Sequence, residues 1–305
     1  MPEGRDVQLA DVLDTRDPEK VIGEVLRIFY YHYSEDSALR IRLAFSQMRS
    51  LFAGEFPGYR ECLAEYHDFN HTMSVVLAAA RLMDGYNIER VFLPEEMAVQ
   101  LLLAALLHDT GYIQEDWDTE GTGAKYSRQH EQRSIEFFTR HAEVFEVEQP
   151  EIEPIVRLIE STDLKTDFAR IHFPSEEEQD AGAILGSADI LGQMSDRAYL
   201  EKLLFLYHEF REAGIPGYET EFDILEKTRD FYEAVKGRLR DTYLHVFELA
   251  HHHFRERYEV NRNLYIVAVD RQMAYLDKII GDQSTNFRHK LKRGDQARLH
   301  ERRAS

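Results

Sequence analysis

Residues 101–107 read LLLAALL, a run that is apolar on every face of a helix. A helix of this kind has no face to turn towards water, so it has to run through the centre of a protein. Pro94 and two glutamates precede the run, as is typical of the first turn of a helix. The sequence therefore predicts a central helix over residues 93–112.

The rest of the chain also places its apolar residues at helical spacing, and only 8 prolines and 16 glycines interrupt it. We predict an all-α protein, a compact bundle of about nine or ten helices. The other predicted helices span residues 21–33, 37–52, 71–86, 127–144, 151–161, 181–213, 220–255 and 261–281. Since neither a repeat nor a linker is visible, residues 1–285 are expected to form one domain, followed by a basic C-terminal tail over residues 286–305.

The charge and the cysteine content exclude several classes of protein. The chain has 37 Lys and Arg against 56 Asp and Glu, a formal net charge of −19, which disfavours binding to a nucleic-acid backbone. A single cysteine, Cys62, excludes a disulfide framework and a cysteine-based zinc site within the chain. The N-terminal segment does not resemble a signal peptide, and no apolar run is long enough to span a bilayer. The cytoplasm is the expected compartment.

Several histidines and aspartates stand where the pattern predicts burial. His108 and Asp109 directly follow the apolar run, and Asp189 lies among small and apolar residues. His67 and His71 are four residues apart, hence on one face of a helix if that helix begins before His67. A buried, unpaired carboxylate is costly, and one divalent cation would compensate for all these groups together. Taken singly, each is as well explained as a core, capping or ion-pair residue.

These motifs resemble those of the HD-domain metal-dependent phosphohydrolase superfamily. Within it the chain is similar to the catalytic domain of the class I cyclic nucleotide phosphodiesterases, over residues 60–240. YHDFNH at residues 66–71 corresponds to that family's Tyr-His-Asn-x-x-His signature, and His108-Asp109 corresponds to its HD signature. The resemblance implies a compact multi-helix bundle around a buried metal site.

Three weaker matches follow along the chain. STD at residues 161–163 stands where the family has Ala-Thr-Asp, and Ala188-Asp189 stands where it has its last metal ligand. LYHEFREAGIPG at residues 206–217 is similar to the family's Glu-Phe-Phe region.

The resemblance implies a role for each matching residue. His71, His108, Asp109 and Asp189 would hold the first of one or two divalent ions (Mg, Mn, Zn or Fe), and Asp109 would also bridge to the second. His67 would be the general acid that protonates the leaving alkoxide, although it could instead be a ligand itself. Paired cations can activate a bridging water and neutralise phosphoryl charge, and imidazole is suited to donate a proton near neutral pH.

The chain departs from the family at two places. Tyr112 stands where the family has a second histidine, and His130 is the candidate that would replace it at the second metal, with Glu131 beside it as a candidate to hold a metal-bound water. The family reads its purine with a Gln and a stacking Phe, and the local match has Thr228 and Phe231. A Thr hydroxyl makes fewer contacts with a purine edge than a Gln amide. Purine cyclic nucleotides are therefore doubtful substrates.

The expected function is a metal-dependent phosphohydrolase that cleaves a phosphodiester of a nucleotide-like substrate by a metal-bridged hydroxide. Three alternatives stay open: an HD-superfamily nucleotidase or phosphomonoesterase, a di-iron oxygenase-like protein, and a non-catalytic binding module stabilised by metal. The expected partner is a small phosphate ester, and self-association stays open.

Overall fold

The structure, a computed structural model, describes residues 7–90, 92–282 and 284–291. Within these ranges every regular element is helical, so the predicted all-α class is confirmed. Twelve α-helices of the described chain pack into a compact bundle. In chain order they are α1 (Leu9–Val12), α2 (Pro18–Phe29), α3 (Glu35–Phe52), α4 (Phe69–Glu89), α5 (Glu95–Leu107), α6 (His130–His141), α7 (Gln149–Glu160), α8 (Glu176–Met194), α9 (Tyr199–Glu212), α10 (Glu221–Gly237), α11 (Ala250–Tyr258) and α12 (Leu264–Gly281).

The apolar run forms α5, whose residues from Ala98 to Leu107 are all buried. This helix packs against α3, α4, α7 and α8, which confirms its predicted central place. It starts after Pro94 but stops short of the predicted residue 112, because Thr110–Tyr112 form a 3-10 turn. The chain therefore turns immediately after the His-Asp pair.

The helix predicted over residues 181–213 is wrong in its length, because it is two helices, α8 and α9. α8 ends at Met194, and the Asp196 carboxylate accepts a hydrogen bond from the Ala198 backbone N–H at 2.8 Å. A local side-chain bond of this kind competes with the helical backbone bonds. The chain thus breaks its helix between two segments that have the same apolar spacing.

The helix predicted over residues 220–255 is also two helices. α10 is followed by a π turn, and Leu244 and His245 then have φ values of 54° and 58°. Positive φ is uncommon for residues other than glycine and does not continue a right-handed helix. These two breaks and the short α1 explain why the described chain has more helices than the sequence predicts.

Asp84 on α4 is fully buried and joins parts of the chain that are distant in sequence. Its Oδ1 accepts hydrogen bonds from His32 Nε2 at 2.6 Å and Arg257 Nη2 at 2.8 Å, and its Oδ2 accepts one from His253 Nδ1 at 2.7 Å. Burial lowers the pKa of His253 to about 4, so that ring is neutral at pH 7. Arg257 therefore supplies the positive charge that balances the buried carboxylate.

Gly85, next to Asp84, allows α4 to approach the chain at Leu249. A Cβ at residue 85 would lie 1.9 Å from the Leu249 carbonyl oxygen. We expect Gly85→Ala to lower the free energy of unfolding by about 1 to 3 kcal/mol, measured by urea denaturation. Gly23 on α2 is the matched control, because a Cβ there meets no described atom within 4 Å. Gly23→Ala should be neutral or stabilising, and equal losses in both variants would contradict the close approach.

No helix in the described ranges combines the length and the apolar character needed to cross a membrane. The predicted basic tail lies outside the described residues from residue 292 onward. The described part, residues 286–291, contains a 3-10 turn, and Arg288 Nε donates a hydrogen bond to Glu221 Oε2 at 2.8 Å. The beginning of the tail therefore contacts α10.

Candidate metal centre

His71 lies in the first turn of α4. The helix starts at Phe69, and the Asp68 carboxylate caps it by accepting a hydrogen bond from the His71 backbone N–H at 2.8 Å. Aspartate is a preferred N-cap residue, which is why the helix begins there. His67 precedes the cap, so the condition under which His67 and His71 would share a helix face is not met.

The turn after α5 fixes the orientation of His108. His108 Nδ1 donates a hydrogen bond to the Ala105 carbonyl at 2.9 Å, which leaves Nε2 as the unprotonated nitrogen. Ser134 on α6 donates to the His108 carbonyl at 2.6 Å and accepts from the Gly111 N–H at 2.9 Å. A Cβ at Gly111 would lie 1.9 Å from the His130 carbonyl oxygen, so the contact with α6 requires glycine.

His71, His108 and Asp109 are all buried, and their ligand atoms converge. Asp109 Oδ2 lies 3.1 Å from His71 Nε2 and 3.2 Å from His108 Nε2. Two ligand atoms bound to one zinc ion at about 2.1 Å are about 3.0 to 3.4 Å apart. Neither His108 Nε2 nor Asp109 Oδ2 forms a hydrogen bond in the described structure, although both are buried. The donor set therefore fits a divalent ion, and this buried group can hold one.

The charges of the cluster also indicate that it needs a positively charged partner. Burial opposes charge on His71, but the carboxylates of Asp109 and Asp189, 3.1 and 3.4 Å from its Nε2, outweigh burial and raise its pKa to about 10. Burial likewise opposes charge on Asp109, yet the neighbouring histidines hold its pKa well below the ordinary value. The buried carboxylates thus need a positive partner, which is either a proton on imidazole or a cation.

Asp189 and His130 stand on two sides of this group. Asp189 Oδ1, on α8, lies 3.4 Å from His71 Nε2. His130 Nε2, on α6, lies 3.5 Å from Asp109 Oδ1, the carboxylate oxygen that faces away from His71 and His108. Asp109 therefore presents one carboxylate oxygen to each side. Glu131 lies beside His130, with its Oε2 3.2 Å from His130 Nδ1.

Burial shifts the titration of this second pair. It lowers the pKa of His130 to about 4, so that imidazole is neutral and its Nε2 can act as a ligand. It raises the pKa of Glu131 to about 7.

His67 is held by two contacts that its place outside the helix permits. Its ring stacks on Tyr112 with centroids 4.2 Å apart, and Tyr112 stacks in turn on His130 with centroids 4.6 Å apart. Its Nδ1 lies 2.6 Å from Glu209 Oε2, while Glu209 Oε1 accepts a hydrogen bond from the Tyr66 backbone N–H at 2.8 Å. Tyr112 thus occupies the space between the two histidines rather than adding a ligand.

Glu209 is a site residue that the sequence reasoning did not assign. It lies in the segment 206–217 singled out above, on α9, and it is buried. A glutamate within an apolar helical pattern is expected to be buried and to need a partner, and this expectation could have indicated Glu209. The partner, His67, is 142 residues away in the sequence, so helical periodicity carries no information about the pair.

The cluster opens into a pocket of about 560 Å³. Residues predicted for the metals, the general acid and the substrate line it together, and these are His67, His71, Asp109, His130, Glu131, Asp189, Thr228 and Phe231. The Thr228 hydroxyl donates its hydrogen to the Ile224 carbonyl at 2.6 Å, so it retains only acceptor capacity towards a ligand. Thr162 and Asp163 from the STD segment also line the pocket.

Comparison with known proteins places these residues within one family. The profile of the Npun_R2479-like family matches residues 56–268, a range that contains every residue assigned above to the metal centre. A search of the curated proteins gives no match. Because the match covers more than half of the chain, the chain belongs to the Npun_R2479-like family.

Proposed function

We propose that the protein is a metal-dependent phosphohydrolase that cleaves a phosphodiester. The observation that carries this proposal is that one pocket is lined both by members of the metal-ligand group and by three cationic side chains, those of Arg128, Lys165 and Lys227. The side-chain nitrogens of these three exposed residues form no ion pair with a carboxylate among the described residues. In a chain of net charge −19, cations that line the same pocket as a metal-ligand group favour an anionic ligand.

The three cations are positioned by backbone carbonyls. Arg128 Nη2 donates to the Gly214 carbonyl at 2.8 Å, Lys165 Nζ to the Arg128 carbonyl at 3.4 Å, and Lys227 Nζ to the Gly217 carbonyl. Carbonyls orient the side chains without neutralising them. Their charge therefore stays available to the oxygens of a bound phosphate.

The residues of the chain divide the reaction between them. His71, His108, Asp109 and Asp189 would hold the first ion, and Asp109 and His130 the second. Bound cations supply activation of water and neutralisation of the phosphoryl charge. Overall, water provides the oxygen of the new P–O bond, the P–O bond to the alcohol breaks, and the alcohol oxygen takes up a proton.

In this proposal His67 would deliver that proton. Its Nδ1 donates to the Glu209 carboxylate, which fixes the orientation of the ring. Its Nε2 lies 3.5 Å from the Tyr112 hydroxyl and would carry the proton for the leaving oxygen. A metal site that served stability alone would have no use for such a pair, which favours the enzyme over the binding module.

The proposal is tested by hydrolysis of bis(p-nitrophenyl) phosphate and p-nitrophenyl phosphate by protein loaded in turn with Mg, Mn, Zn or Fe. Diester turnover that is lost in Asp109→Asn would support it. Turnover of the monoester alone would favour the nucleotidase alternative. No turnover with any ion would overturn the proposal, and an iron-dependent optical band in that protein would direct the search to oxygenase chemistry. A cytoplasmic location belongs to the same proposal.

Glu209→Gln should lower kcat about tenfold or more while leaving KM nearly unchanged, because a neutral amide replaces the carboxylate that orients the His67 ring. Steady-state kinetics with the diester would measure this. Glu212→Gln is the matched control on the same helix, since Glu212 accepts hydrogen bonds from Thr122, outside the pocket. A Glu209→Gln variant with the kcat of Glu212→Gln would remove Glu209 from the mechanism.

A further inference from the structure

One wall of the pocket is largely apolar. It is built by α9, the turn that follows it and α10. The apolar side chains that line it include Leu203, Leu206, Phe210, Ile215, Ile224 and Phe231. An apolar wall of this extent favours a ligand that buries hydrocarbon surface.

The polar groups on this wall are few, and most are already engaged. The Gln193 amide accepts a hydrogen bond from the Tyr66 hydroxyl at 2.8 Å and donates one to the Asp189 carbonyl at 3.4 Å. Thr228 donates to the Ile224 carbonyl. Tyr199 lines the pocket, and its hydroxyl forms no hydrogen bond within the described structure. Tyr218 also lines the pocket, and its hydroxyl forms no hydrogen bond among the described residues. A ligand would therefore find two tyrosine hydroxyls here, together with the one N–H and one lone pair that the Gln193 amide does not use.

A nucleoside fits such a wall poorly. A purine or pyrimidine buries several donors and acceptors, and each one left without a partner costs about 1 to 3 kcal/mol. Sites that discriminate by hydrogen bonding provide a partner for each polar group of their substrate. Two hydroxyls and part of one amide are fewer partners than a base and its ribose together require.

We infer that the substrate is a phosphate ester of a largely apolar alcohol, an alkyl or aryl group with at most one or two polar groups, which the hydroxyls of Tyr199 and Tyr218 would meet. The inference rests on the proposed function for the phosphate end, and it replaces the nucleotide-like substrate expected from the sequence. The cations Arg128, Lys165 and Lys227 would bind the phosphate, and the apolar wall would bind the alcohol.

Affinity measured independently of turnover tests the inference. Isothermal titration calorimetry of the Mn-loaded full chain with ethyl, butyl, hexyl and octyl phosphate should show Kd falling about two- to fourfold for each added methylene. Octyl phosphate should bind more tightly than AMP. A Kd that is independent of chain length, or tighter binding of AMP than of hexyl phosphate, would overturn the inference.

A variant of the apolar wall tests where the alkyl chain of the ester binds. Leu206 is only half-buried, and Leu206→Asn should reduce the dependence of Kd on chain length without affecting ethyl phosphate. Leu39→Asn is the matched control, because Leu39 is 63% exposed and lies outside the pocket. If Leu206→Asn keeps the wild-type dependence of Kd on alkyl chain length and its circular dichroism matches the wild type, the alkyl chain does not bind this wall.

Hydrolysis of dialkyl phosphates with the same alkyl groups separates this inference from the proposed function. Affinity for the alkyl phosphates that strengthens with chain length, with no hydrolysis of any dialkyl phosphate, would overturn the proposed function and retain the apolar ligand. Hydrolysis with affinities that do not depend on chain length would retain the phosphohydrolase and overturn the apolar substrate.

Discussion

His67→Ala is expected to lower turnover of the metal-loaded protein by about a hundred- to ten-thousandfold, the usual contribution of a general acid. The metal content should stay at the wild-type level, because the ring of His67 is 5.6 Å from that of His71 by centroids and contacts Tyr112 and Glu209 instead. Turnover of the diester and metal analysis of the same sample would check both parts.

The leaving group sharpens this test. An ester with a good leaving group, such as p-nitrophenolate, needs little protonation, so His67→Ala should lose less activity with it than with an alkyl ester. His172→Ala is the control, since His172 is exposed and lies outside the pocket. Full activity of His67→Ala with alkyl esters would exclude the general-acid role, and loss of metal would make His67 a ligand, the alternative that the sequence left open.

Asp84→Asn is expected to lower the free energy of unfolding at pH 7 by about 3 kcal/mol, the scale observed when one partner of a buried ion pair is removed. The change leaves Arg257 without a countercharge and brings an amide N–H₂ towards the donors of His32 and His253. Urea denaturation would measure the loss. Asp230→Asn, at an exposed position of α10, should change stability by no more than about 0.5 kcal/mol.

The same substitution should alter the dependence of stability on pH. Burial would raise the pKa of Asp84, but hydrogen bonds from His253, His32 and Arg257 outweigh it and hold the pKa far below the ordinary value of 3.8. The folded protein therefore binds this proton less readily than the unfolded chain. The stabilisation is present above about pH 4 and is lost as the pH falls further. The difference between wild type and Asp84→Asn should shrink at pH 3, and a constant difference would contradict the assignment.

The sequence predicted best the features that depend on local pattern. A run that is apolar on all faces can only be central, so α5 and the His-Asp pair at its end were predictable. Features set by contacts between distant segments were not. The break at Asp196 depends on one side-chain hydrogen bond inside an otherwise helical pattern. The contact between His67 and Glu209 depends on segments that are far apart in the sequence. The same holds for the cations Arg128, Lys165 and Lys227, which line one pocket only in the folded protein.

The partners of Asp84 limit how far the chain can be shortened without loss of its fold. The motifs that carry the resemblance lie within residues 60–240, yet His32 precedes that segment, and His253 and Arg257 follow it. All three bind the same helix, α4, that begins beside the metal ligand His71. A fragment cut to the motif-bearing segment would carry a buried carboxylate with none of its counterparts, and α4 would lose the contacts that anchor it. A shortened version of this protein therefore has to keep the segments on both sides of residues 60–240. These segments anchor α4, which carries the candidate metal ligand His71.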